Sequence, residues 1–179
     1  MRKKVLYKTA LLLIAACSLI ACGSGTSFKK VRPEGAGYAV QSPVTLKMKT
    51  REPKAANVTI KMQIYIGEKS GVTYGVIRAE YPEELMKNAG ADAVLEAGCK
   101  GAASNVNGKV ISQEKIKIGG NPGRELMLRG KDADGKIMEV HSRVCLVGNV
   151  LYQVMVAGSK GIAGKPASKK FLNSFELVD

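Results

Sequence analysis

The feature that most constrains this chain is residues 58–66, where Val58, Ile60, Met62, Ile64 and Ile66 alternate with more polar neighbours. A strict period of two sends successive side chains to opposite faces of extended backbone, so the segment reads as a strand with one face in a core. Residues 72–81 supply a partner, with residues 67–71 as the connecting loop of a hairpin. Pro82 ends that strand and opens a helix. Glu83 and Glu84 favour its positive N-terminal end, and Leu85, Met86, Ala89, Ala93 and Ala97 continue one apolar face to about Cys99. Residues 109–118 form another strand, broken at residues 119–123 and resumed at 124–129. A turn at residues 131–135 leads into 137–147. Gly148-Asn149 is a two-residue hairpin signal, and residues 151–157 return. Pro166 starts a short helix in which Ala167, Phe171 and Phe175 recur at four to bury one stripe. Several hairpins and two helices, without regular strand-helix alternation, predict an α+β domain built on an antiparallel sheet.

The N-terminus carries an address. Arg2, Lys3 and Lys4 precede a short apolar core and then Leu19, Ile20, Ala21 and Cys22. The core is shorter than the roughly 20 apolar residues that span a bilayer, so residues 1–21 read as a cleaved export signal. Leu19 to Cys22 resembles the bacterial lipobox, which implies a lipid anchor on Cys22 and a cell-envelope location. With Gly23 next, that location is the outer membrane facing the periplasm in a Gram-negative cell, and otherwise the outer face of the plasma membrane. Two or three acyl chains anchor stably where one does not, because each buried methylene contributes about 0.8 kcal/mol. Residues 22–34, rich in Gly and Ser at their start, read as a flexible tether, and residues 35–179 as one domain.

Charge limits the partners. The chain has 28 basic and 15 acidic residues; loss of Arg2, Lys3, Lys4 and Lys8 with the signal leaves 24 against 15, a net +9. That excess favours an anionic envelope component, but basic runs no longer than two residues favour the plainer reading of a solvated, lysine-rich surface. Nucleic acid is not expected as a partner, since the chain has no Trp and 5% aromatics to stack on bases.

Four segments in order, residues 37–43, 118–125, 147–154 and 170–175, resemble successive landmarks of PsbP-like domains, the Mog/PsbP superfamily. The resemblance covers most of the mature domain. It implies an antiparallel sheet with helices on both faces, an α/β/α sandwich used mainly for binding or assembly. No functional residue carries over, because Gly119, Gly120 and Gly123 match as chain reversals and Phe171 and Phe175 as packing residues.

Catalytic readings lack parts. His141 is the single histidine, so a multi-histidine metal site is impossible and any nucleophilic centre has to use this ring. Cys145 lies four positions away along the same strand, roughly 13 Å at the usual rise, which leaves Cys99 as the remaining thiol partner. A phosphate-binding loop counted from Gly158 meets Ala163 where it needs its second Gly, and Gly164-Lys165 is followed by Pro166 where it needs Ser or Thr. Residues 132–135 suggest calcium, but a twelve-residue loop from Asp132 ends on Arg143 instead of Glu. No catalytic residue, metal or cofactor is therefore expected. The favoured reading is a membrane-anchored, non-catalytic lipoprotein that binds or helps assemble a protein complex or envelope component. A carrier or sensor with a small apolar ligand held between sheet and helix is the alternative, and a hydrolase trails both.

Cys99 and Cys145 remain once Cys17 is removed and Cys22 acylated. An even pair in an exported domain leans towards a disulfide, closing a loop that contributes about 4 kcal/mol if unstrained. The alternative is two separate buried thiols. The N-terminal reading makes a direct prediction: Cys22→Ala abolishes palmitate labelling in growing cells, and labelling that persists in the variant contradicts the lipobox.

Overall fold

The structure, a computed structural model, describes residues 26–55, 58–132 and 134–179. Cys22 and the segment read as an export signal lie outside the described residues. The strands are β1 (Lys29–Val31), β2 (Tyr38–Ser42), β3 (Lys47–Arg51), β4 (Lys54–Ala55), β5 (Val58–Thr59), β6 (Lys61–Lys69) and β7 (Val72–Glu80). Helices α1 (Glu83–Asn88) and α2 (Ala91–Asn105) follow. Next come β8 (Lys109–Ile118), β9 (Asn121–Lys131), β10 (Ile137–Val147) and β11 (Val150–Gly158). A 3-10 turn (Ile162–Gly164), α3 (Pro166–Asn173) and β12 (Glu176–Leu177) close the chain. The fold class is α+β, as the hairpin pattern predicts.

Seven strands make one antiparallel sheet in the order β3-β6-β7-β11-β10-β9-β8. Its tight hairpins follow from turn chemistry. Ser70 and Gly71 both have positive φ, 54° and 69°, as do Gly119 and Gly120, 55° and 81°. Two left-handed residues in succession give the turn whose twist matches the flanking strands. Both connections are consequently shorter than the sequence suggests. Lys69 pairs with Val72, and Ile118 with Asn121, so the expected five-residue loops shrink to two residues.

One face of the sheet carries α2, which buries Val94, Leu95, Cys99 and Ala103 on Leu126, Leu128, Val140, Val144 and Leu146. The helix expected from Pro82 to Cys99 is in fact two. Ala89 is extended and Gly90 caps α2, so the apolar stripe restarts and Ala93 and Ala97 face solvent. Polar contacts then fix where α2 sits. The buried Arg124 guanidinium donates to Asp92 at 2.7 Å, Lys115 reaches the same carboxylate at 3.1 Å, and Gln113 donates to Glu96 at 2.8 Å. At the far end, a Cβ on Gly130 would collide with the Val106 carbonyl, which instead accepts the Lys131 amide at 3.1 Å.

The opposite face is covered by α3 and by a small sheet, β1-β2-β12. Tyr38 stacks on Phe175 with centroids 5.6 Å apart and meets Tyr65 edge-on at 5.7 Å; Tyr74 meets Phe171 at 5.2 Å. Phe171 and Phe175 are buried as expected, but α3 stops at Asn173 and Phe175 packs from the segment beyond it. The fold also starts earlier than residue 35. Lys29 to Val31 pair with Ser42 to Val40, so the stretch left to act as a tether ends before β1.

The two cysteines are free thiols on different faces. Cys99 packs in the α2 layer, whereas Cys145, odd-numbered in β10, points into the aromatic layer with Tyr38 and Phe171. The sheet lies between them, so the bridge weighed from the cysteine count is absent, and the separate-thiol alternative describes the structure. Alkylating the unfolded, unreduced domain accordingly modifies both Cys99 and Cys145; protection of both in that assay contradicts this arrangement.

Candidate functional site

The lone histidine sits in a polar row on the α3 face of β9 and β10. His141 Nε2 lies 2.7 Å from Glu125 Oε1, so the ring donates there, and Nδ1 has no hydrogen-bond partner among the described residues. Arg143 approaches the other Glu125 oxygen at 3.6 Å and donates to the Leu172 carbonyl at 3.3 Å, tying the strand to the end of α3. Glu139 accepts from Arg129 at 2.9 Å and from the Gly161 amide at 2.7 Å, which pins the 3-10 turn to the sheet. Each contact joins two structural elements.

Among the described residues no serine or cysteine is hydrogen-bonded to His141. Ser142 is on the opposite face, where it accepts from Gln153 at 2.9 Å. Burial pushes the Cys99 thiol up to about 11 and the Cys145 thiol up to about 12, so both stay protonated at neutral pH, the inert rather than the activated condition of cysteine. Among the described residues no three His, Cys, Asp or Glu side chains gather to hold a metal. Asp132 is engaged by its own turn, accepting the amides of Asp134 and Lys136 at 3.0 and 2.8 Å.

What the fold leaves open is the other half of the α2 face. α2 lies over β8, β9 and β10. Beside it, Ile64 and Ile66 of β6, Ile77 of β7 and Met155 of β11 stay half-buried and line an apolar groove together with Ala102 and Val106 of α2. The register explains both composition and border. Ile66 is opposite Lys47, Ile64 opposite Lys49, and Met62 opposite Arg51. Directly opposed residues share a face, so the edge strand lays three exposed cations along the apolar lane. None of the three has a carboxylate within ion-pair distance among the described residues. The sequence alternation that announced β6 thus also built this lane. What it did not reveal is that α2 would cover only part of the face, because the apolar burial and the Arg124–Asp92 contact that seat α2 join residues far apart in sequence.

The strength of the polar row depends on pH. The Gly161 amide and then the Arg129 guanidinium hold the Glu139 carboxyl below the usual carboxylate range. A depressed carboxylate stabilises the fold above its unfolded pKa, about 4.3, and loses that contribution as pH falls through the folded value. Glu139→Gln therefore lowers the thermal midpoint at neutral pH. The gap to the unaltered protein closes on acidification below about pH 4, and a gap independent of pH contradicts the assignment.

No family model matches the chain, and no curated protein matches it. Solved structures do. The solution structure of cyanobacterial PsbP (CyanoP) from Synechocystis sp. PCC 6803 is similar with a TM-score of 0.56 at 17% identity, over 87% of this chain and 95% of that one. LpqN of Mycobacterium tuberculosis, described as involved in cell envelope biogenesis, is similar with a TM-score of 0.53 at 11% identity, over 86% of this chain and 91% of that one. At such identities the likeness is one of fold, and the fold is PsbP-like.

Proposed function

We propose that this chain is an envelope lipoprotein, anchored through Cys22, whose domain works by docking rather than by catalysis. The observation that carries the reading is the partly covered lane of Ile64, Ile66, Ile77 and Met155 bordered by Lys47, Lys49 and Arg51. An apolar strip with one cationic border fits an amphipathic, acidic segment of a partner protein. The partner's apolar side chains fill the lane and its carboxylates lie over β3. The similarity to an envelope-biogenesis protein supports the envelope setting.

Size argues against the carrier. The space between α2 and the sheet is about 190 Å³, below the roughly 300–1,000 Å³ of ordinary small-molecule pockets. Against the hydrolase, His141 is hydrogen-bonded to Glu125 and to no serine or cysteine among the described residues.

A photo-crosslinking residue at Ile64 tests docking in intact cells, with one at Ile137, which is 62% exposed on β10, as the control position. The reading predicts a discrete adduct with an acidic partner from position 64 alone. Lys47→Glu, Lys49→Glu and Arg51→Glu together abolish it. The same products from both positions, or an adduct indifferent to the charge reversal, contradict the reading.

A further inference from the structure

A second recess, of about 540 Å³, lies on the other side of the molecule, between β1, the connector from β2 to β3, and the end of β6. It is built by local chemistry. Ser42 Oγ donates to the Val44 carbonyl at 2.7 Å and accepts the Val44 amide at 3.3 Å, turning the chain sharply at Pro43. Gly67 has no side chain, and a Cβ there would collide with the Thr45 carbonyl, so the connector seats directly on the sheet. The wall that results is apolar, with Val31, Pro43, Val44 and Leu46, and the rim carries Lys29 and Lys69. Lys30, also at the rim, is paired with Glu176 at 2.8 Å. Lys29 and Lys69 have no carboxylate within ion-pair distance among the described residues. Glu68, next to Lys69 in sequence, lines a separate depression with Asp132 and Lys136.

Two unmatched cations above an apolar wall select an anion with an apolar continuation. Ser27 also lines the recess, five residues after Cys22, so no more than about 18 Å of extended chain separates them. On the reading that Cys22 is acylated, the recess is kept at the headgroup layer of the membrane that holds the anchor. We propose that it binds the phosphate headgroup of an anionic phospholipid, with Lys29 and Lys69 on the phosphate and the start of one acyl chain against Val44 and Leu46. Binding there adds a second, headgroup-specific attachment to the acyl anchor and fixes how the domain stands on the membrane.

The test uses the mature chain, acylated and unacylated, with monomeric dihexanoyl phosphatidylglycerol and dihexanoyl phosphatidylcholine, followed by amide chemical shifts. Expected are saturable shifts confined to β1, residues 42–46 and Lys69, with the anionic lipid bound about tenfold tighter than the neutral one, as two partly exposed ion pairs provide. Lys29→Glu with Lys69→Glu removes that preference, whereas Lys109→Glu with Lys117→Glu, an equal charge change on the far edge strand, preserves it. Leu46→Gln weakens both lipids. Equal affinity for the two lipids, an equal effect of the two charge reversals, or the same shifts with inorganic phosphate alone overturns the proposal. The short-chain lipids reach the recess with or without acylated Cys22, so these outcomes bear on the recess. Failure of the acylated chain to float with phosphatidylcholine vesicles bears on the anchor.

Discussion

The structure depends on a mismatch of widths. Seven strands at about 4.8 Å spacing make a sheet nearly 30 Å across, while one helix with its side chains is about 10 Å wide. α2 is held over β8 to β10 by burial of Val94, Leu95, Cys99 and Ala103, with the Arg124–Asp92 contact at its start, and the short α1 adds little breadth. The β6–β7 side of that face is covered less completely, and Ile64, Ile66, Ile77 and Met155 stay half-buried there. A sheet of this size gains stability from its far face and tolerates the open lane, which is why the lane persists as a surface and does not collapse.

The far face shows what full coverage looks like. Tyr38, Tyr65, Tyr74, Tyr152, Phe171 and Phe175 interlock beneath β2 and α3, and burial of this aromatic layer is worth several kcal/mol per ring. Around its edge, the charged side chains are used as struts. Glu125, Glu139 and Arg143 each bridge elements, and His141 belongs to that system through Glu125. The single histidine, the residue most suggestive of chemistry in the sequence, is held in that system by its bond to Glu125.

Much of this was legible in the sequence where local rules decide. The alternation around Ile64, the paired glycines at 119–120 and the Gly148-Asn149 turn specify strands and hairpins through backbone preferences alone. The misreadings share another cause. Ala93 and Ala97 fall on a helical stripe with Leu85 only if the helix is continuous, and Gly90 resets that register. β1 is three residues long and exists because β2 offers an edge, which no property of Lys29 to Val31 announces. Cys99 and Cys145 look like a pair by number. Strand parity and the helix register send them to opposite sides of the sheet, and only the assembled fold fixes both.

If the open lane is what this domain presents to a partner, occupancy should be visible in the backbone itself. Hydrogen exchange of the mature protein, measured in isolated envelopes and after purification, reads this residue by residue. The account predicts that amides of β3 and β6 exchange more slowly in envelopes than in the purified protein, while those of β8, the opposite edge, exchange alike in both. Equal exchange of β3 and β6 in the two preparations would contradict it.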